Sequence, residues 1–461
     1  MKQQVIAIID VGKTNKKLFL FDQHYRIVYE RSARFIETHD EDGFPCENLE
    51  SLRLSVFDSL RDVLHQGEFE VKALNFSTYG ASIVYIDDKG KPLTPLYNYL
   101  KPYPHELEDR FYKTYGNKTV FAAKTASPVL GSLNSGLQLY RIKYEQPEVF
   151  ANIKYALHLP QYLSFLITNQ AFSDITSIGC HTALWDFRKH LYHRWVTKEH
   201  VESKLAPILS ATEVLRPVFP TGKYVVGIGL HDSSAALIPY LVNFHEPFIL
   251  ISTGTWCISL NPFNEQGLTK EELLADCLCY MNYKGKAVKA SRLFAGHILE
   301  EEVKKIASVF HTNVARYRVM AFDPAIIARL NALKRDDQGD VSGKFTFTNR
   351  DWSQYKNCEE AYHQLMIDIV ELQKCSTQLV LKSSPARRIF VDGGFSKNVI
   401  YMNLLAMAFP HLEVFAASMA QATALGAALA IHDSWNKKRI PNDIIELKYY
   451  SVAQETVQQG E

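Results

Sequence analysis

Gly229-Leu230-His231-Asp232-Ser233-Ser234-Ala235 places a carboxylate in a small-residue turn directly after the apolar segment Tyr224-Val225-Val226-Gly227-Ile228. Further along, Ile251-Ser252-Thr253-Gly254-Thr255 puts hydroxyls, a glycine and bare backbone in a turn after a second apolar strand, Pro247 to Ile251. A carboxylate near a turn that can cradle phosphate is what phosphoryl transfer from a nucleotide to an alcohol requires. The carboxylate accepts the hydroxyl proton and the turn steadies the phosphate. Taken singly, each stretch also fits an ordinary strand-turn-helix connection with a solvated Asp.

Working outward, the same pattern occurs twice more. Asp10-Val11-Gly12-Lys13-Thr14-Asn15 ends the apolar strand Val5 to Val11. Asp392-Gly393-Gly394-Phe395-Ser396-Lys397-Asn398 follows the strand Arg388 to Val391, and an Asp-Gly-Gly strand end opening a helix lets backbone meet a ligand closely. The turns at Gly12 and Gly254, one in each half of the chain, could grip a triphosphate from opposite sides. Asp10 beside phosphates would repel them unless a cation intervened, which implies Mg²⁺ held through water. Lys13 either reaches a phosphate oxygen or stays solvated.

The rest of the chain fits two α/β lobes. Lys17 to Phe21 and Arg26 to Arg31 continue the first strand as hairpins, and Glu47 to Gln66 carries Leu49, Leu52, Val56, Leu60 and Val63 at helical spacing. Val71 to Phe76 and Ser82 to Ile86 read as two more strands of one mixed sheet, joined by Ser77-Thr78-Tyr79-Gly80-Ala81. Short helices dominate from Pro104 to Trp195, and Asp174 reads as a helix cap. Pro217, Pro220 and Gly222 interrupt the chain before the pattern restarts, which sets the expected domains at 1–222 and 223–461. Tyr362, Leu365, Met366, Ile369 and Leu372 mark a long amphipathic helix, and Ala420 to Ile431 a small-residue helix able to approach a neighbouring helix or a nucleotide.

Composition limits the partners. Of 461 residues, 51 are basic and 50 acidic, giving a net charge of +1 and no long-range field for nucleic acid or an anionic membrane. Seven scattered cysteines suit free buried thiols better than a disulfide framework or a zinc site. Met1-Lys2-Gln3-Gln4 runs straight into a strand, and no apolar run reaches the ~20 residues a membrane helix needs. The expectation is a cytoplasmic protein, with a homodimer left open. Neither a Walker string nor the signature set of protein kinases occurs.

The ordered set Ile9 to Lys17, His231-Asp232, Ser252 to Thr255, Asp392 to Asn398 and Ala422-Thr423-Ala424-Leu425-Gly426-Ala427-Ala428 resembles the FGGY family of carbohydrate kinases. That resemblance implies two actin-like (ribonuclease H-like) ATPase domains around a central cleft, with ATP and Mg²⁺ as cofactors and a small sugar as partner. By the same resemblance, Asp232 is the catalytic base, and Gly12, Lys13, Thr14, Asn15, Thr253, Gly254 and Thr255 approach the phosphates. Gly393, Gly394 and Asn398 lie along the adenosine, and Asp10 holds the metal through water. His231, Tyr79 and Gly80 are placed on the sugar side; His231 donates to a sugar hydroxyl or merely orients its turn, and Tyr79 and Gly80 wall a sugar or form a plain strand connection. Arg292 touches ligand or is an ion-paired surface residue. Trp256 after the second turn resembles the rhamnulokinase and fuculokinase branch, although Lys13 stands where the family has a small or hydroxyl residue, and Ser77 and Ser82 where rhamnulokinases have carboxylates. The expected substrate is therefore a deoxyketohexose such as L-rhamnulose or L-fuculose. A pentulose kinase, a catalytically silent sugar or nucleotide sensor and a sugar-independent ATPase are the alternatives.

Overall fold

Strand Gln3–Val11 alternates between two cores, which is the period-2 consequence of a sheet covered on both faces. Val5, Ala7, Ile9 and Val11 pack with Leu52, Val56, Leu60 and Val63 of the helix Leu49–His65. Ile6 and Ile8 point the other way, into a core shared with the helices Asp232–Asn243 and Ala422–Ala430. Asp10 has the parity of Ile6 and Ile8, so it faces those two helices. The computed structural model describes residues 2–13, 15–34, 36–65, 67–336 and 350–451. Thr14 and Gln66, the latter the expected end of the first helix, lie outside the described residues.

The first sheet runs Val214–Leu215, Val225–Gly227, Phe69–Thr78, Gln3–Val11, Asn15–Asp22, Ile27–Arg34, with Leu230–His231 also pairing with Phe69–Thr78. Its first three strands in sequence form an antiparallel meander, as the short polar turns predict, and Phe69–Thr78 and Val225–Gly227 continue it in parallel. The second sheet runs Cys277–Met281, Ala287–Leu293, Cys257–Asn261, Phe248–Thr253, Arg388–Gly393, Glu413–Ser418, Glu446–Tyr450. It resembles the first: Phe248–Thr253 leads antiparallel strands on one side, with Ala287–Leu293 inserted between Cys257–Asn261 and Cys277–Met281, and Arg388–Gly393 and Glu413–Ser418 are parallel to it on the other. The turns at Gly12 and Gly254 thus occupy corresponding places in the two lobes, joining the leading strand to its antiparallel neighbour. Each is closed by a backbone bond, Gly12 N to Asn15 O and Gly254 N to Trp256 O, both 2.9 Å.

Between the sheets lie the helices Asp232–Asn243 and Ala422–Ala430. Ala235 and Ile238 of the first join Ile6, Ile8 and Phe19, while its Leu237 and Tyr240 join Phe248, Leu250 and Phe390 of the second sheet. The small-residue helix serves this helix contact: a Cβ on Gly426 would sit 1.8 Å from the Ala235 carbonyl oxygen. Buried Asn75 ties the layers together by donating to Ala427 O at 2.8 Å and accepting from Gly229 N at 3.1 Å.

One expected strand pairing is corrected. Ile83–Ile86 leaves the main sheet and pairs antiparallel with Tyr155–His158, founding the helical subdomain whose core holds Phe111, Tyr140 and Trp195. Val214–Leu215 and Val225–Gly227, on either side of the expected 222/223 boundary, are hydrogen-bonded neighbours in the first sheet. Asp174 caps its helix as expected, accepting from Thr176 N at 2.9 Å. Six of the seven cysteines are free and buried; Cys375 is exposed, contrary to the expectation of buried thiols throughout.

Candidate active site

Three neighbouring parallel strands of the first sheet end at one level. Asp10 lies in register with Ser77, and Ser77 with Leu230, so Asp10 and the His231-Asp232 turn open at the same carboxyl edge of the sheet. Ligands of parallel α/β sheets collect at such an edge. Asp232 starts the helix Asp232–Asn243. Its Oδ1 accepts from Ser233 N at 2.6 Å and lies 3.4 Å from His231 Nε2, and its Oδ2 has no hydrogen-bond partner among the described residues. About a third of the Asp232 side chain, 33%, is open to solvent.

Electrostatics follow from this crowding. Burial pushes the Asp232 carboxyl up to about 6, against the pull of the Ser233 N–H and hydroxyl. Asp10 is likewise raised to about 6, first by burial, with the Thr423 hydroxyl bond opposing and the charge of Asp232 adding to the rise. Thr423 Oγ1 donates to Asp10 Oδ2 at 2.8 Å from the small-residue helix. Two carboxylates in one poorly solvated edge are a setting that a cation relieves. Among the described residues no group of three or more acidic, His or Cys side chains is placed to hold a metal.

His231 is buried, and burial depresses it to about 4, so it is neutral near pH 7. Its backbone N–H bonds Thr176 Oγ1 at 3.0 Å, and its Nε2 lies 3.3 Å from Cys180 Sγ. Gly80 makes room for this ring, since a Cβ there would lie 2.6 Å from His231 Nε2. Gly80 therefore acts through His231. Tyr79 is buried, with its hydroxyl donating to Glu47.

Lys13 is half-buried and held in place. Its Nζ pairs with Glu47 Oε1 at 2.8 Å and sits over the rings of Tyr79 and Tyr99, 5.2 and 4.9 Å from their centroids. The ammonium covers the Tyr79 face that was expected to wall the sugar. Asn15 accepts the Gly12 N–H through its backbone oxygen.

In the second lobe Gly254 and Thr255 are exposed in the turn, whereas Thr253 is buried and its hydroxyl is committed. That hydroxyl donates to Asp392 O and accepts from Phe395 N at 3.0 Å, stitching the two parallel strands at their ends. Thr253 thereby shapes the Gly393-Gly394 turn. Gly393 has φ 89°, and a Cβ there would lie 1.9 Å from Thr253 O, so only glycine fits; Gly394 faces open space. Asn398 caps the helix Val399–Ala408, accepting from Ile400 N and Tyr401 N at 3.1 Å while its Nδ2 donates to Tyr362 OH at 2.7 Å. Both ends of its amide are occupied by the fold.

The residues missed in sequence are Glu47, His181, Tyr280 and Thr423. Only Thr423 carried a local signal, as the one hydroxyl in the small-residue helix. The others reach the edge from segments with no pattern of their own.

The comparisons agree with this architecture. Residues 5–238 match the N-terminal domain of the FGGY family of carbohydrate kinases, and residues 245–439 match the carbohydrate kinase FGGY C-terminal domain. A rhamnulokinase of Halalkalibacterium halodurans is 21% identical over 270 residues, 54% of this chain and 54% of its own. One from Oceanobacillus iheyensis is 21% identical over 272 residues, 56% of each. The matched region thus spans about half the length of these curated relatives. The crystal structure of a carbohydrate kinase from Novosphingobium aromaticivorans superposes with TM-score 0.79 at 23% identity, over 98% of this chain and 95% of that one. A ligand-bound xylulose kinase from Lactobacillus acidophilus gives 0.75 at 16%, over 97% and 94%. These likenesses show the fold, two actin-like lobes with mixed sheets. With both domain models matched in order along one chain, the protein belongs to the FGGY family of carbohydrate kinases.

Proposed function

We propose that the chain is an ATP-dependent kinase that phosphorylates a small ketose on a primary hydroxyl, with a deoxyketohexose of the rhamnulose or fuculose type as acceptor. One observation carries the reading: a partly open carboxylate, Asp232, stands near Asp10 at the carboxyl edge of the first sheet. The acceptor hydroxyl attacks the γ-phosphorus in line, the bond to the ADP oxygen breaks, and the hydroxyl proton passes to Asp232. Ser233 fixes Oδ1 and leaves Oδ2 for that proton. The turns at Gly12, Gly254-Thr255 and Gly393-Gly394 present side-chain-free or exposed backbone against which phosphate and nucleotide can approach closely, although the N–H groups of Gly12, Gly254, Gly393 and Gly394 bond within the fold. Bound Mg²⁺ supplies charge neutralisation on the phosphates, and Asp10 is the residue that would hold it through water.

The curated relatives named rhamnulokinase support the deoxyketohexose, and the xylulose kinases among the similar structures keep a pentulose as second reading. Lys13, the departure from the family pattern in the first turn, has its charge neutralised within the lobe by Glu47, which removes one ground for a catalytically silent sensor. With ATP and Mg²⁺, ADP release is expected to depend on added sugar and to be fastest with L-rhamnulose or L-fuculose in a screen that includes D-xylulose, D-ribulose, glycerol and polyols. Fastest release with a pentulose moves the assignment to the second reading, and release independent of sugar overturns the kinase reading.

The pH dependence has a definite sign. A base raised to about 6 is charged at pH 7 and protonated below 6. The value of kcat/KM should accordingly hold steady above pH 7 and fall about tenfold per unit well below 6. A profile flat down to pH 5 would exclude Asp232 as the titrating base.

A further inference from the structure

We infer that Arg292, clamped by Asp276 and Trp256, is an acceptor-binding residue contributed by the second lobe, and that this clamped pair favours a neutral sugar over a sugar acid. The inference rests on the kinase reading above.

A continuous wall leads from the base to this arginine. His231 Nε2 lies 3.4 Å from Asp232 Oδ1 and 3.3 Å from Cys180 Sγ, and the next residue, His181, has its ring 6.3 Å from that of Tyr280 on the second sheet. Tyr280 feels the charges of both Arg292 and Asp232, and His181 feels that of Arg292. Tyr280 is thus near both the base and the guanidinium.

It is also held in place. Arg292 Nε and Nη2 both donate to Asp276 Oδ1, Nε at 3.2 Å, and Arg292 N donates to Asp276 O at 3.2 Å. Trp256, 42% exposed beside the second phosphate turn, lies with its ring centre 5.3 Å from Arg292 Cζ. Asp276 occupies the left-handed region at φ 64°, a conformation costly for a residue with a Cβ and kept where the surroundings enforce it. Two of the five guanidinium N–H donors are committed to Asp276, and Nη1 has no partner among the described residues, leaving its two donors for hydroxyl oxygens.

Charge accounting points to the acceptor class. Asp276 balances Arg292 and Glu47 balances Lys13. Burial keeps His158, His181 and His231 neutral at pH 7. With Asp10 on the cation side, what remains unbalanced toward the acceptor is Asp232, whose charge repels an acceptor carboxylate.

The test uses the full chain with its best neutral ketose from the screen and 2-keto-D-gluconate as the acid probe. Arg292→Ala should raise the acceptor KM roughly 10- to 100-fold, the loss expected for hydrogen bonds from a charged donor, while the ATP dissociation constant stays within about twofold. If Arg292→Ala also loses ATP affinity through misfolding, Arg292→Lys decides, because it keeps the charge and loses the fork. A raised acceptor KM with ATP affinity retained supports the inference, and an acceptor KM within twofold of the parent overturns it. Asp276→Asn leaves Arg292 unbalanced and should strengthen inhibition by 2-keto-D-gluconate at least about fivefold, a gain that mere structural damage does not produce; unchanged inhibition overturns the charge argument. Parent enzyme that releases no ADP with any sugar overturns the kinase reading and this inference together, whereas an active parent with an indifferent Arg292→Ala variant overturns this inference alone.

Discussion

Asp232→Asn is expected to lower kcat by about 10²- to 10⁴-fold, the range associated with losing a positioned general base. The substitution is close to isosteric. An amide oxygen can still accept the Ser233 N–H that Oδ1 accepts at 2.6 Å, so the start of the helix Asp232–Asn243 should hold its shape. What disappears is the basic electron pair for the hydroxyl proton. Removing the negative charge also relieves Asp10, whose carboxyl is raised partly by Asp232. Sugar and nucleotide dissociation constants, measured by calorimetry, should therefore stay within a few-fold while ADP release collapses. A kcat within tenfold of the parent would remove Asp232 from the role of base.

Gly426→Val should produce the largest loss of stability. The added Cβ would meet the Ala235 carbonyl oxygen at 1.8 Å and its carbon at 2.6 Å. Neither atom belongs to a flexible side chain, since both lie in the backbone of the helix Asp232–Asn243. The two helices must separate, and they form the layer between the sheets, so Ile6, Ile8, Leu237 and Tyr240 lose packing on both sides. Overpacking of this kind costs about 1–3 kcal/mol or more, and here the whole interface is strained. A melting temperature lower by roughly 5 °C or more, or loss of soluble protein, is the expected outcome. The separation also carries Thr423 away from Asp10, so surviving protein should turn over slowly. Gly394→Ala is the control, because nothing lies within 4 Å of the position a Cβ would take there. Equal melting temperatures for Gly426→Val and the parent would disprove the close helix contact.

Much of the site was legible because its parts are local. A strand followed by an acidic, glycine-containing turn reveals itself through a few adjacent residues, and Asp10, Asp232 and Gly393 all stand at such strand ends. Roles that depend on a distant partner were not legible. Lys13 finds Glu47 on another strand, Thr253 finds Asp392 and Phe395, and Asn398 finds Tyr362. In each case the side chain's chemistry allowed a ligand contact, and the fold had already used it. Ile83–Ile86 shows the same limit, since its apolar run declares a strand and not which strand it joins.

By itself, then, the sequence determined that two similar lobes exist, each opening on a strand with a glycine hairpin, and that carboxylates stand at strand ends. Period-2 burial and turn chemistry are written in neighbouring residues. Only the tertiary structure decided that Asp10 and Asp232 share one sheet edge, that Gly426 admits a helix rather than a nucleotide, and that Lys13 and Arg292 carry their own counter-charges. Those outcomes depend on which segments, far apart in the chain, are brought within a few ångströms, and a local pattern contains no term for that.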